Sequence, residues 1–359
     1  MRRLLTFALA ASVLLAASAA APSAVAAPST SGKTTSGKTT ITVMTHDSFN
    51  ASKRVLKQFT NDTGVSVKIL RAGDAGAAVN QAVLTKGNPL GDVFFGVDNT
   101  LLSRALDEGI YTRYKSQELS SVPEGLQLDS KHRVTPVDTG DVCVNYDKKY
   151  FADNGLPVPQ TLEDLAKPEY KGLLVVENPA TSSPGLAFLL ATVARFDAGG
   201  WRAYWDQLRD NDVKVVDGWE QAYSTEFSGS AGKGNYPLVV SYASSPPAEV
   251  INADGGKATE APTGVMLDTC FRQIEFAGIL KGTEHEKEAK QFVDFLLSKR
   301  FQEDMPLQMF VFPVREGADL PVEFTKFAEV PPTPLVLPVR DIARNRDTWI
   351  DEWTDTVLR

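Results

Sequence analysis

VKVVDGWEQAY (213–223) and YPLVVSYASSPP (236–247) are the stretches on which the reading of the fold turns. Each opens on a short, largely β-branched apolar run and then breaks off into small, polar and aromatic residues. That is the pattern of a buried parallel strand whose C-terminal end opens onto a loop. In open α/β sheets, ligands sit just outside such strand ends. Here the ends carry Asp217, Gly218, Trp219 and Tyr223, then Ser241, Tyr242, Ser244 and Ser245. Aromatic faces among hydroxyls and a carboxylate suit a flat, cationic, hydrogen-bonding small molecule.

Outward from these stretches, strand and helix signals alternate. Ile41–Val43, Val65–Leu70 and Asp92–Val97 read as strands. Between and after them come a helix burying Val55, Leu56 and Phe59, a second near 77–85 and a third over 99–108. A second series follows: a helix capped by Thr161, a strand at 173–176, and helices over 185–197 and 201–210. The latter holds Trp201, Trp205 and Leu208 at helical spacing. Such alternation predicts parallel, doubly wound sheets. Two longer strand-like runs, Val134–Tyr146 and Thr269–Leu280, read as crossings between the series. The expected fold is α/β and two-lobed. Lobe 1 takes 41–137 and 272–359, lobe 2 takes 138–271, and the two crossing strands form the hinge.

The chain of 359 residues opens on Arg2-Arg3, an apolar stretch from Leu4 to Ala21, and Ala24-Val25-Ala26. This fits a cleavable signal peptide over 1–26, a membrane anchor being the other reading. Residues 27–40 read as a flexible Ser/Thr/Gly linker. No cysteine lies near this segment to carry a lipid, so the expected location is periplasmic or extracellular. The formal net charge of −8 argues against nucleic acid as a partner, since neutralising phosphates needs clustered Lys and Arg. Cys143 and Cys270 are the two cysteines. In an exported chain an even pair is read as a disulfide; two buried free thiols are the other reading.

Catalytic signals are absent from the sequence. His46, His132 and His285 lie in no nucleophile-elbow, zinc or phosphate-loop pattern. The expectation is a binding protein with no metal and no cofactor. Candidate contacts lie in loops at strand ends: His46 and Asp47 in THDSF (45–49), Asp74 and the backbone N–H groups of GDAG (73–76), and Ser182 and Ser183 in TSSPGL (181–186). The last precedes a helix whose first turn holds Pro184, a terminus suited to phosphate or carbonyl groups.

Seven motifs occur in order: THDSF (45–49), GVDNTLL (96–102), NPATSSPGL (178–186), DGWEQAY (217–223), SYASSP (241–246), MFVFPV (309–314) and WIDEW (349–353). In that order, over 41–357, the chain resembles the thiamine-binding proteins of bacterial ABC importers, a branch of the type II periplasmic binding proteins. The resemblance implies capture of thiamine, with its mono- and diphosphate as further ligands, and delivery to an ABC transporter permease by a monomeric protein. It places the ligand between the lobes, against the Gly76 loop, Ser182, Ser183, Trp219 and the run Tyr242, Ala243, Ser244 and Ser245. His46 and Phe310 stand where members of the family have Tyr and Trp, Ala75 where they have an acid, and Ala248 where they have Tyr. Asp74 replaces the displaced acid by a one-residue shift, and the aromatic cage is expected to be thinner. Receptors for ferric ion, polyamines or phosphonates are the competing readings, with an exported enzyme behind them. Ferric sites use adjacent tyrosines, which Tyr242-Ala243 lacks, and polyamine sites use several acids, of which this cleft reads as having few.

Overall fold

The computed structural model describes residues 39–230, 233–252 and 258–359. The expected signal peptide and nearly all of the expected linker lie outside the described residues. Ten strands form one mixed sheet. They are β1 (Thr40–Thr45), β2 (Ser66–Arg71), β3 (Val93–Asp98), β4 (Tyr111–Thr112), β5 (Thr135–Asp147), β6 (Leu174–Glu177), β7 (Lys214–Val216), β8 (Leu238–Tyr242), β9 (Thr263–Leu280) and β10 (Phe312–Pro313). The main path runs β2-β1-β3-β9-β5-β8-β6-β7.

The ends of this path are parallel and its middle is antiparallel. β2, β1 and β3 pair in parallel, linked by the helices Lys53–Thr63 and Ala75–Leu84. At the other end β8, β6 and β7 are parallel. Between them β9 runs antiparallel to β3 and β5, and β5 antiparallel to β8. Hydrogen bonding therefore continues unbroken through both series, because β5 and β9 are long enough to pair on both flanks (13 and 18 residues). β9 also starts six residues before the expected Thr269, extending its ladder with β5 to Thr263. β7 is the half-buried edge of the sheet and not the buried strand its sequence suggests, whereas β8 is buried almost throughout.

Ser183–Asp210 is one helical run of 28 residues where the sequence suggests two helices. Asp197, at φ 58°, breaks the regular geometry at the expected junction. Trp201 and Trp205 are core residues. Trp205 meets Trp353 of the C-terminal helix Val339–Val357 edge-on at 5.4 Å, which docks that helix by its apolar face. The helices Pro246–Asn252, Lys299–Gln308 and Val322–Phe327 are additions to the expected set. Proline at the start of the first and inside the second hides their signal. Cys143 and Cys270 are disulfide-bonded. They join β5 to β9 where the ladder register shifts between Val142 and Val144.

Candidate functional site

A cavity of about 520 Å³ opens at the strand ends, lined from both ends of the sheet. Trp219, Tyr223, Tyr242 and Glu249 face it from one side; Asp47, Arg71 and Phe310 face it from the other. Trp219 opens a short helical turn after Gly218, and a wider turn over Ala222–Glu226 continues it. Residues 219 and 223 thus share one face, and their rings stack at 5.1 Å with 12° between planes. Tyr242 stands edge-on to Trp219 at 6.3 Å. Its ring lies against Gly140 of β5, where a Cβ would sit 2.9 Å from Cδ1.

Hydroxyls fix these rings. Trp219 Nε1 donates to Ser241 Oγ at 2.9 Å, Ser241 and Ser245 share a hydrogen bond at 2.9 Å, and Ser245 Oγ accepts from Tyr242 N at 3.1 Å. Tyr223 Oη donates to Glu249 Oε1 at 2.9 Å. Ser244 Oγ donates to the carbonyl of Phe310 at 2.7 Å, holding that residue in the left-handed region at φ 57°. A bulky residue adopts that conformation only under local constraint. Four of the expected contacts, Gly76, Ser182, Ala243 and Ser244, line neither this cavity nor the smaller compartment beside it. Ala243 packs on the disulfide, its N–H bound to Asp141 O and its carbonyl to Glu329 N. Ser244 is fully buried beneath Phe310.

Gly76 and Ser182 belong instead to the contact between the two ends of the sheet. Any Cβ at Gly76 would lie 2.6 Å from the carbonyl oxygen of Thr181, so glycine here permits close approach. Ala77 N donates to that same oxygen at 3.0 Å. Asp74 caps the helix Ala75–Leu84 and also accepts from Trp219 N at 2.8 Å. Ser182 caps the helix beginning at Ser183, its Oγ accepting from Gly185 N at 3.5 Å, and sits beside Asp74. The free helix terminus expected to meet a phosphate is thus already occupied by protein.

Below Tyr242 lies a smaller compartment of about 50 Å³, edged by His46, Asp74, Asp138, Ser183, Gln273 and Glu275. His46 reaches it because residue 96 is glycine at φ 113°; a Cβ there would sit 2.4 Å from the imidazole Cδ2. His46 Nε2 lies 3.2 Å from Glu275 Oε1. Asp138 and Glu275 are direct partners across the β5–β9 ladder. Gln273 Nε2 donates to Asp98 Oδ2 at 2.5 Å and to Ser183 Oγ at 3.1 Å. Burial pushes the Glu275 carboxyl up to about 8 and Asp138 well above the carboxylate range, and raises Asp74 and Asp98. Burial also depresses His46, keeping its imidazole neutral.

The cleft therefore holds more acids than its sequence suggests. Asp138, Gln273 and Glu275 sit in long apolar runs, and only the pairing of β5 with β9 brings them together. Arg71 ends β2 and turns into the main cavity, donating to the carbonyls of Asp47 and Phe49 at 3.0 Å each. Tyr223 and Ala248 both line the main cavity.

The profile of the bacterial extracellular solute-binding protein family matches residues 88–333. The chain belongs to that family. This solute-binding protein is 30% identical over 324 residues to the thiamine-binding periplasmic protein of Salmonella typhimurium, covering 89% of this chain and 94% of that one. It is 29% identical over 333 residues to the thiamine-binding periplasmic protein of Brucella suis, covering 89% and 92%. Among solved structures, a periplasmic thiamin binding protein superposes with a TM-score of 0.78 at 26% identity, covering 89% of this chain and 96% of that one. A ferric binding protein from Campylobacter jejuni superposes at 0.71 and 20% identity, covering 88% and 99%, a likeness of fold alone. The solute-binding protein thus has the type II periplasmic binding fold.

Proposed function

We propose that this protein captures thiamine outside the cytoplasmic membrane and presents it to the permease of an ABC transporter. The observation that carries this reading is the composition of the cleft. Stacked Trp219 and Tyr223, with Tyr242 and Phe310, supply aromatic faces, and Asp47, Glu220 and Glu249 supply negative charge. A flat cation gains from both, by contact with ring faces and by attraction to carboxylates. Relatives named for thiamine binding, matched over nearly their whole length, support the same choice. The protein acts as a monomer without catalysis or a resident cofactor, and nucleic acid is not a partner.

In this reading 41–137 with 272–359 form one lobe and 138–271 the other, hinged through β5 and β9. Ligand closes the lobes because it touches both, and its preference for the closed state sets the shift. His46, Asp47, Asp74 and Phe310 line the site from the first lobe, and Ser183, Trp219, Tyr242 and Ser245 from the second. Thiamine mono- and diphosphate are further ligands, their phosphates directed towards Arg71. Titration of tryptophan fluorescence tests the assignment. Thiamine is expected to change the emission saturably, while spermidine and ferric citrate leave it unchanged. Saturable binding of either competitor in preference to thiamine contradicts the reading.

A further inference from the structure

The small compartment under Tyr242 contains a polar atom without a donor. Asp138 is 3% exposed, yet no N–H or hydroxyl among the described residues reaches its Oδ2. Its carboxyl lies beside that of Glu275, its direct partner across the β5–β9 ladder, and two carboxyls can bond each other only through a proton. The elements packed around the pair add no positive charge. They bring His46 from the loop after β1, Asp74 from the helix start, Asp98 from the end of β3, and Tyr242 from β8. Among the described residues neither Lys nor Arg edges the compartment.

Two carboxyls in such contact resist ionising together unless a positive charge or further donor compensates them. Without ligand, a shared proton is what satisfies them. An N–H donor entering the compartment supplies the missing partner, and any positive charge on it offsets the second negative charge created when the proton leaves. An anion would meet Asp74, Asp138 and Glu275 with no cationic side chain to offset them. We propose that this compartment seats a nitrogen-bearing N–H donor of the bound heterocycle, an amino or ammonium group, whose arrival expels the proton shared by Asp138 and Glu275 into solvent. The inference rests on the reading of the cleft as a site for a cationic nitrogen heterocycle. It adds that uptake is proton-linked, so affinity rises with pH until the shared proton has left.

Calorimetric titration of the protein with thiamine, in buffers of low and high ionisation enthalpy between about pH 6.5 and 8.5, tests this. The expected result is release of about one proton per thiamine bound near neutral pH, with affinity climbing by up to about tenfold per pH unit. Asp138→Asn and Glu275→Gln are each expected to abolish the buffer-dependent heat and flatten the pH profile. Thiamine binding by the unaltered protein with no buffer-dependent heat and a flat profile overturns the inference and leaves the proposed function standing. Absence of thiamine binding at every pH overturns both.

Discussion

The carboxylate of Asp74 accepts a hydrogen bond from the backbone N–H of Trp219 at 2.8 Å, joining the start of the helix Ala75–Leu84 to the turn that carries the main aromatic residue of the cleft. A side chain 145 positions away in sequence thus sets where the indole stands. It lies at the same contact as the Ala77–Thr181 hydrogen bond, so it acts as a latch between the two sides of the cavity. Replacing Asp74 with Ala removes the latch and a helix cap together, the cap alone contributing about 1 kcal/mol. The Asp74→Ala protein is expected to release thiamine faster with little change in association rate. Stopped-flow dissociation checks this; an unchanged release rate would reduce Asp74 to a cap.

Trp219 presents its indole to the cavity with its N–H already bound to Ser241. Its role towards ligand is therefore through its face. Trp219→Ala is expected to weaken thiamine binding by about 1–3 kcal/mol, while Trp219→Phe retains part of that. Affinities from calorimetry decide it, and equal values for wild type and Trp219→Ala would rule out stacking.

Arg71 is the one cationic side chain lining the main cavity among the described residues, and its hydrogen bonds go to carbonyl groups. Its charge remains available to a phosphate. Arg71→Ala is expected to lower affinity for thiamine diphosphate by about tenfold or more and to leave thiamine within about twofold. A parallel loss for both ligands would place Arg71 in the architecture of the loop instead.

Buried acids also predict how the empty protein responds to pH. Glu275 titrates near 8 in the folded protein, against about 4.3 in an unfolded chain. Above about pH 4.3 the folded state therefore keeps a proton the unfolded state has lost, and stability falls as pH rises until Glu275 ionises. The melting temperature without ligand is expected to decline between about pH 5 and 8, and Glu275→Gln to reduce that slope. Thermal melts across this range check it; a slope unchanged by the substitution would remove Glu275 as its source.

Local patterns were enough for the parallel strands, the cap at Thr161 and the disulfide. They were enough, too, for the aromatic turn after β7, since Trp219 follows a short strand and belongs to no helical stripe. What they missed depends on register. Asp138 and Glu275 read as isolated acids in apolar strands until β5 and β9 are paired residue by residue. Gly76 and Ser182 have the composition of a ligand loop, yet they serve the approach of one chain segment to another. Nothing local to either motif distinguishes a helix start that meets a ligand from one that meets Asp74.

The disulfide closes a loop spanning 127 residues across the two long strands. Chain-entropy reasoning gives such a link about 2–5 kcal/mol. Replacing both cysteines with serine is expected to lower the melting temperature and to leave thiamine affinity at 25 °C within about threefold, since neither cysteine lines the cavity. A large loss of affinity at unchanged stability would show that the bond governs closure.

The most direct test of the central claim, that a flat cation is held between Trp219 and Tyr242 on one side and Asp47 and Phe310 on the other, is calorimetry of the purified protein with thiamine. The account predicts saturable binding of one thiamine per chain with a dissociation constant of about micromolar or below. No heat of binding with thiamine at millimolar concentration would contradict it.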